Sequence, residues 1–208
     1  MHDIQCGRGS LLVVSGPSGS GKGTVVRRLV DNYDGYDLSV SATTRQPRKG
    51  ETDGVHYYFL TNEQFDKMVD EDSFIEHARY SRASYGTPKE PVTKSLEAGR
   101  HMILEIEICG ARQVKQNMPE AKTVMLIPPT YSELKRRLVD RGTETVDEIE
   151  RRLDIAVGEI RQIEFFDYIV INDDVDSAAA RLDQIARGEY TDGIDRKSFA
   201  CEFLNENH

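Results

Sequence analysis

The sequence predicts an α/β fold, a parallel sheet flanked by helices and interrupted by a small α+β insertion and a charged helical hairpin. Three observations predict it. Short apolar runs recur at residues 11–15, 102–106, 123–127 and 168–171, and uninterrupted runs of this length read as strands buried on both faces. Helical patterns fall between and after them, and alternating strand and helix argues for a parallel sheet covered on both sides. The first run leads straight into glycine-rich sequence and then into a helical pattern, in the order strand, tight loop, helix.

After the strand at 11–15, Val25, Val26, Leu29 and Val30 recur at helical spacing. From residue 39 to about 85 the pattern changes to short strands around 55–60 and 74–80 with a helix near 63–71 between them, which reads as a small inserted α+β unit. The run at 102–106 is the second buried strand, and Cys109 just after it reads as a small buried hydrophobe. The third, 123–127, is stopped by Pro128 and Pro129. Two helical stretches joined by residues 141–145 occupy 130–164, and Ile149, Leu153, Val157 and Ile160 line one face of the second. Charges of both signs crowd this hairpin. It reads either as a solvated, ion-paired pair of helices or as a mobile lid carrying arginines to a phosphate. The fourth strand, 168–171, precedes an Ala/Leu helix over 175–187, and the polar, acidic residues beyond read as a frayed tail.

Composition limits the partners. Lys and Arg number 27 against 36 Asp and Glu, a net charge of −9. That balance disfavours a protein that coats nucleic acid, so any anionic ligand must be met by locally clustered cations. No apolar run approaches the ~20 residues needed to span a bilayer, and no membrane partner is expected. Residues 1–5 lack a basic segment followed by an apolar one, so no secretory signal is expected. Cys6, Cys109 and Cys201 are far apart with no Cys-x-x-Cys pair, which fits reduced thiols in a cytoplasm better than disulfides or zinc.

Gly16-Pro17-Ser18-Gly19-Ser20-Gly21-Lys22 matches G-x-x-x-x-G-K between the first strand and the first helix. Glycines let successive backbone N–H groups turn inward around an anion, the helix N-terminus adds partial positive charge, and Lys22 adds a full one. Gly23 stands where the strict motif has Ser or Thr, with Thr24 next. The missing hydroxyl argues against a GTPase switch and fits enzymes whose Mg²⁺ is held mainly by nucleotide oxygens and water. A second anion-seeking patch follows, with Arg45 and Arg48 three apart around Pro47. Alone they read as surface arginines; beside a phosphate loop they suit the second phosphate of a phosphotransferase.

With these motifs on the page the chain resembles the guanylate kinases. The resemblance rests on residues 15–24, 39–51, 55–59, Phe74-Ile75-Glu76, Tyr85-Gly86, 104–110, Arg141-Gly142-Thr143-Glu144, Arg151-Arg152-Leu153 and Ile171-Asn172-Asp173-Asp174, in order along the chain. It implies a P-loop NTPase core of residues 1–38, 88–129 and 165–208, a GMP-binding domain at 39–87 and a lid at 130–164. It implies Mg²⁺-dependent phosphoryl transfer from ATP to GMP, and to dGMP. Carried over by position, the ATP loop is Gly16 to Thr24 with Lys22, and Asn172 lies near the donor nucleotide. The GMP phosphate contacts fall on Arg45, Arg48, Tyr57 and Tyr85. The guanine contacts fall on Ser41, Glu76, Thr87 and Glu107, and the lid arginines are Arg141 and Arg152. Lys22, Arg45, Arg141 and Arg152 are the expected charge carriers of catalysis.

The chemistry suits these positions. Guanine offers N1–H and N2–H together, which one carboxylate such as Glu76 can accept, while Ser41 or Thr87 can donate to O6. Glu107 stands where the family commonly has aspartate, which moves the charge by about one methylene. Glu105 reads either as a partner for Mg²⁺-bound water or as a satisfied carboxylate at a strand end. A sugar-phosphate kinase is disfavoured by Ser41, Arg45, Arg48, Tyr57, Glu76 and Tyr85 together. A non-catalytic phosphoprotein-binding module is disfavoured by the intact loop. A homo-oligomer is left open. All the motifs precede Gly188, so removing the residues beyond it is expected to leave turnover unchanged.

Overall fold

A computed structural model describes residues 7–80, 82–140 and 145–205. Its main sheet is parallel, in the order β2-β7-β1-β8-β9, built from β1 (Leu11–Ser15), β2 (Tyr36–Leu38), β7 (His101–Glu105), β8 (Lys122–Ile127) and β9 (Tyr168–Ile171). The apolar runs are continuous because both faces are covered. Successive strand side chains point to opposite faces. Accordingly, Leu11, Val13, Leu104, Met125 and Ile127 join one buried cluster, while Leu12, Val14, Ile103, Val124 and Leu126 join the other.

α1 (Lys22–Asn32) and α7 (Val175–Arg187) cover the second face. α3 (Lys89–Glu97), α4 (Ile108–Asn117), α5 (Tyr131–Val139) and α6 (Val146–Ile160) cover the first. α1 buries Val25, Val26 and Leu29, but Val30 is exposed at the margin of that stripe. Cys109 is also exposed. The helical period begins at Ile108, so Ile108, Ala111 and Val114 take the inner face and position 109 turns outward.

The insertion forms a second sheet, β4-β3-β6-β5. Its strands are β3 (Ala42–Thr43), β4 (Tyr58–Phe59), β5 (Phe74–Arg79) and β6 (Ser84–Pro88). The strand expected around 55–60 is thus confined to Tyr58–Phe59, because residues before it turn to bond among themselves, as in Gly54 N–H to the Tyr57 carbonyl at 2.8 Å. α2 (Asn62–Asp70) closes this unit with a capping box of Thr61 and Gln64, and packs Phe65 on Phe74 with ring centroids 4.6 Å apart. Its own core is small, so it leans on the main body: Ile75 belongs to the main cluster, and Asn117 Nδ2 donates to the Ile75 carbonyl at 2.7 Å.

α6 turns Leu153, Ala156 and Ile160 inward with Ile149 and Val157 beside them. The residues that join α5 to α6 at 141–144, Arg141 among them, lie outside the described residues. The expected frayed tail is instead ordered through α8 (Arg196–Asn205), whose Phe203 is buried in the main cluster. Among the described residues no helix is long and apolar enough to cross a membrane.

Candidate active site

The phosphate loop leaves β1 and re-enters the fold at α1. Gly21, at φ 89°, supplies the left-handed residue that starts the helix, and a Cβ there would lie 2.5 Å from Asn172 Nδ2. Asn172, 3% exposed, donates through Nδ2 to the Ser20 carbonyl at 2.7 Å. Arg137 of α5 donates to the same carbonyl at 3.4 Å and to the Asn172 carbonyl at 2.9 Å. Asn172 therefore shapes the loop from beneath, and Arg137, which no sequence motif singled out, completes the brace. Leu134 and Leu138 pack under Gly19.

Lys22 Nζ donates back to the carbonyls of Gly16 at 2.6 Å and Pro17 at 3.3 Å, which holds the ammonium across the loop. Arg152 of α6 donates to Ser18 Oγ at 3.3 Å, so an arginine of the α5–α6 hairpin reaches the loop. Ser18, Gly19, Gly21, Lys22, Gly23, Thr24, Arg27, Arg28, Asp31 and Glu105 line a cleft of about 540 Å³. A Cβ at Gly23 would lie 3.6 Å from Glu105 Oε2, so this carboxylate stands beside the position where the motif's hydroxyl is missing. Loss of water around it pushes the Glu105 carboxyl up, with Lys22 pulling it down. Glu159 of α6 is shifted up for the same reason, again opposed by Lys22 and reinforced by Glu107.

The second sheet carries the other group. Arg45 binds Glu51 bidentately, Nη1 to Oε2 at 2.8 Å and Nη2 to Oε1 at 2.9 Å, and its Nη1 also donates to the Gln46 carbonyl. Arg45 holds the Glu51 carboxyl down at about 2, helped by the Arg48 backbone N–H at 2.7 Å. The guanidinium lies 5.2 Å from the Tyr57 ring and 5.8 Å from the Phe59 ring. Tyr57 meets Tyr85 edge-on at 6.1 Å, and Tyr85 meets Tyr80 at 6.0 Å. Arg48 is exposed beside this wall.

Glu76 is 7% exposed and forms no ion pair with the described residues, an unusual place for a carboxylate. The β5–β6 register shifts between Phe74 and Glu76, just where this side chain leaves the ladder. Thr87 Oγ1 donates to Glu76 Oε1 at 2.7 Å, so the Thr87 hydroxyl orients the carboxylate and its hydrogen is not open to a ligand acceptor. Gly110 makes room for the other oxygen: a Cβ there would lie 2.9 Å from Glu76 Oε2. Burial pushes the Glu76 carboxyl up, the Thr87 bonds lower it, and Glu107 raises it again. Glu107, exposed at the N-cap of α4, accepts from the Tyr80 hydroxyl at 2.8 Å. Ser41, the residue before β3, is half-buried, its carbonyl accepting from Tyr58 N–H at 2.9 Å.

Among the described residues no three acidic, His or Cys side chains converge to hold a metal unaided. The one carboxylate beside Gly23, Glu105, fits a Mg²⁺ ligated mainly by nucleotide oxygens and water.

The family model described as guanylate kinase matches residues 8–189. A guanylate kinase of Clostridioides difficile (strain 630) is 47% identical over 182 residues, covering 88% of this chain and 89% of the relative. One from Frankia casuarinae is 52% identical over 172 residues, covering 83% and 94%. A crystal structure of guanylate kinase from Anaplasma phagocytophilum superposes with a TM-score of 0.68 at 32% identity, covering 90% of this chain and 89% of that one. A braced glycine-rich loop and a buried carboxylate thus sit in a chain matched over nearly its whole length, and the chain belongs to the guanylate kinase family.

Proposed function

We propose that the cleft transfers the γ-phosphoryl group of ATP to GMP through the residues placed above. The observation that carries this reading is Glu76, a buried carboxylate held by Thr87 on the sheet that also carries Tyr85, with Arg45 just past its β3 and Tyr57 just before its β4. The loop amides and Lys22 hold the donor phosphates, with Arg152 above them and Arg141 as its expected companion. Arg45, Arg48, Tyr57 and Tyr85 hold the acceptor phosphate, while Glu76 reads the guanine N1–H and N2–H and Ser41 serves O6. Glu107 acts through Tyr80, at the rim of the base site.

An acceptor phosphate is already ionised near neutral pH, so no protein base is needed. Catalysis is alignment and neutralisation of the transferring group. Bound Mg²⁺ supplies further neutralisation of the donor phosphates. Base and phosphate carry the recognition, so dGMP belongs to the proposed acceptors. Exposed free thiols at Cys109 and Cys201 support a reducing, cytoplasmic setting. A coupled assay with ATP·Mg²⁺ against GMP, dGMP, AMP, CMP and UMP tests the reading: GMP and dGMP turn over, and efficient use of AMP would defeat it.

Arg45→Ala and Arg48→Ala are expected to weaken GMP binding by about 10- to 150-fold, the range for a lost charge-assisted bond, while leaving ATP affinity near wild type. Arg45→Ala is the more damaging of the two, because it also strands the Glu51 carboxylate beside the phosphate site. Isothermal titration with each nucleotide checks this, and loss of ATP binding with normal GMP binding would show the two sites to be interchanged.

A further inference from the structure

We propose that the C-terminal helix α8 is a strap that positions the lid by holding both points where the α5–α6 hairpin joins the core, with Phe203 as its positioning residue. The matched family model ends at residue 189, so this segment lies beyond it.

The strap is fastened at the hairpin's exit first. The Asp192 side chain, only 5% exposed, accepts from the Ile169 backbone N–H at 2.8 Å, at the outer edge of β9, and from Arg196 Nη2 at 3.0 Å. Arg196 Nη2 also donates to the carbonyls of Asp167 at 2.8 Å and Phe166 at 3.4 Å, where the chain passes from the hairpin into β9. The entry is fastened by Phe203. Its ring, 3% exposed, meets Tyr131 edge-on at 6.2 Å, and Tyr131 is the first residue of α5. Phe199 stacks on Phe203 at 5.8 Å, and Ile194, Ala200 and Leu204 pack against the same cluster.

Both roots of the hairpin are therefore tied to one short helix. The hairpin delivers Arg137 and Arg152 to the phosphate loop. Displacements of an ångström at such contacts are enough to change turnover. Loosening the strap should thus be felt at the donor site, while Glu76 stands on the other sheet and Arg45 just past its β3. This replaces the expectation that the tail is dispensable. The proposal rests on the reading of Arg152 as a ligand of the donor nucleotide.

The test is Phe203→Ala in the full chain, with KM for ATP and equilibrium affinity for GMP measured together. KM for ATP should rise about three- to thirtyfold, the usual span for residues that act through others, with GMP affinity unchanged. Phe203→Leu should restore most of the loss. In an Arg152→Ala background, Phe203→Ala should add little. Wild-type KM for ATP in folded Phe203→Ala, an equal loss for both nucleotides, or full additivity with Arg152→Ala would each overturn the strap. If Arg152→Ala alone leaves ATP use unchanged, the arginine reading fails and additivity with it carries no weight against the strap, which is then decided by whether the effect of Phe203→Ala is confined to ATP. Should Phe203→Ala not fold, Arg196→Gln at the other end reads the same split.

Discussion

Lys22→Met is expected to lower kcat by about 100-fold or more while leaving the fold intact. Removing one preorganised charge contact to a developing anion costs about 2.7–4 kcal/mol in comparable sites. Lys22 is preorganised in this sense, since the Gly16 and Pro17 carbonyls already fix its ammonium across the loop before any nucleotide arrives. Methionine keeps much of the aliphatic stem and loses only the charge and its donors. Thermal unfolding separates the two effects: for a chain of this size a stability loss of about 1 kcal/mol moves Tm by about 2–4 °C. A variant with unchanged Tm and kcat within a few-fold of wild type would remove Lys22 from the donor site.

β1, β7, β8 and β9 of the main sheet were legible because their apolar side chains are buried on both faces, so Leu11 to Val14 and Val124 to Ile127 read as unbroken apolar runs. The second sheet was less legible. β3 has two residues and β6 reads Ser-Tyr-Gly-Thr-Pro, without an apolar period; both exist because they pair with each other and with β5 or β4. β2, only three residues long at the sheet edge, carries Asp37, whose side chain accepts from Arg100 and Ser95. α8 hides for another reason: its decisive contact is one aromatic residue against Tyr131, far away in sequence.

The site shows the same division. Residue types in the phosphate loop and the arginine patch follow from local spacing, because backbone amides and guanidinium groups bind phosphate wherever they cluster. Partners do not follow. Arg45 held by Glu51, Tyr80 donating to Glu107, and Arg137 bridging Ser20 and Asn172 are set by tertiary geometry, and each changes what a named side chain has left to offer a ligand. Thr87 is the clearest case: its hydroxyl could serve guanine O6, but the fold turns it onto Glu76.

Glu76→Gln is expected to damage guanine selectivity more than phosphate binding. The carboxylate offers acceptors at both oxygens; Thr87 occupies Oε1 and leaves further lone pairs with Oε2 beside Gly110. In glutamine the oxygen keeps the Thr87 bond, and the NH₂ takes the Oε2 position, where it meets guanine's own donors. Losing a charge-assisted bond costs about 1.5–3 kcal/mol, or about 10- to 150-fold in kcat/KM for GMP. AMP should lose less, because an amide can donate to the acceptor at adenine N1, so the GMP-to-AMP ratio falls. The pH dependence has a defined sign. Burial raises the Glu76 pKa in the empty protein, and guanine requires the ionised form, so GMP affinity should climb with pH through that raised pKa and level off above it. In Glu76→Gln that rise should vanish. Measuring kcat/KM for GMP and AMP at saturating ATP, with GMP affinity followed from acidic to neutral pH, decides the matter. An unchanged selectivity ratio together with a persistent pH step would mean that Glu76 does not read the base, leaving Glu107 as the carboxylate to test next.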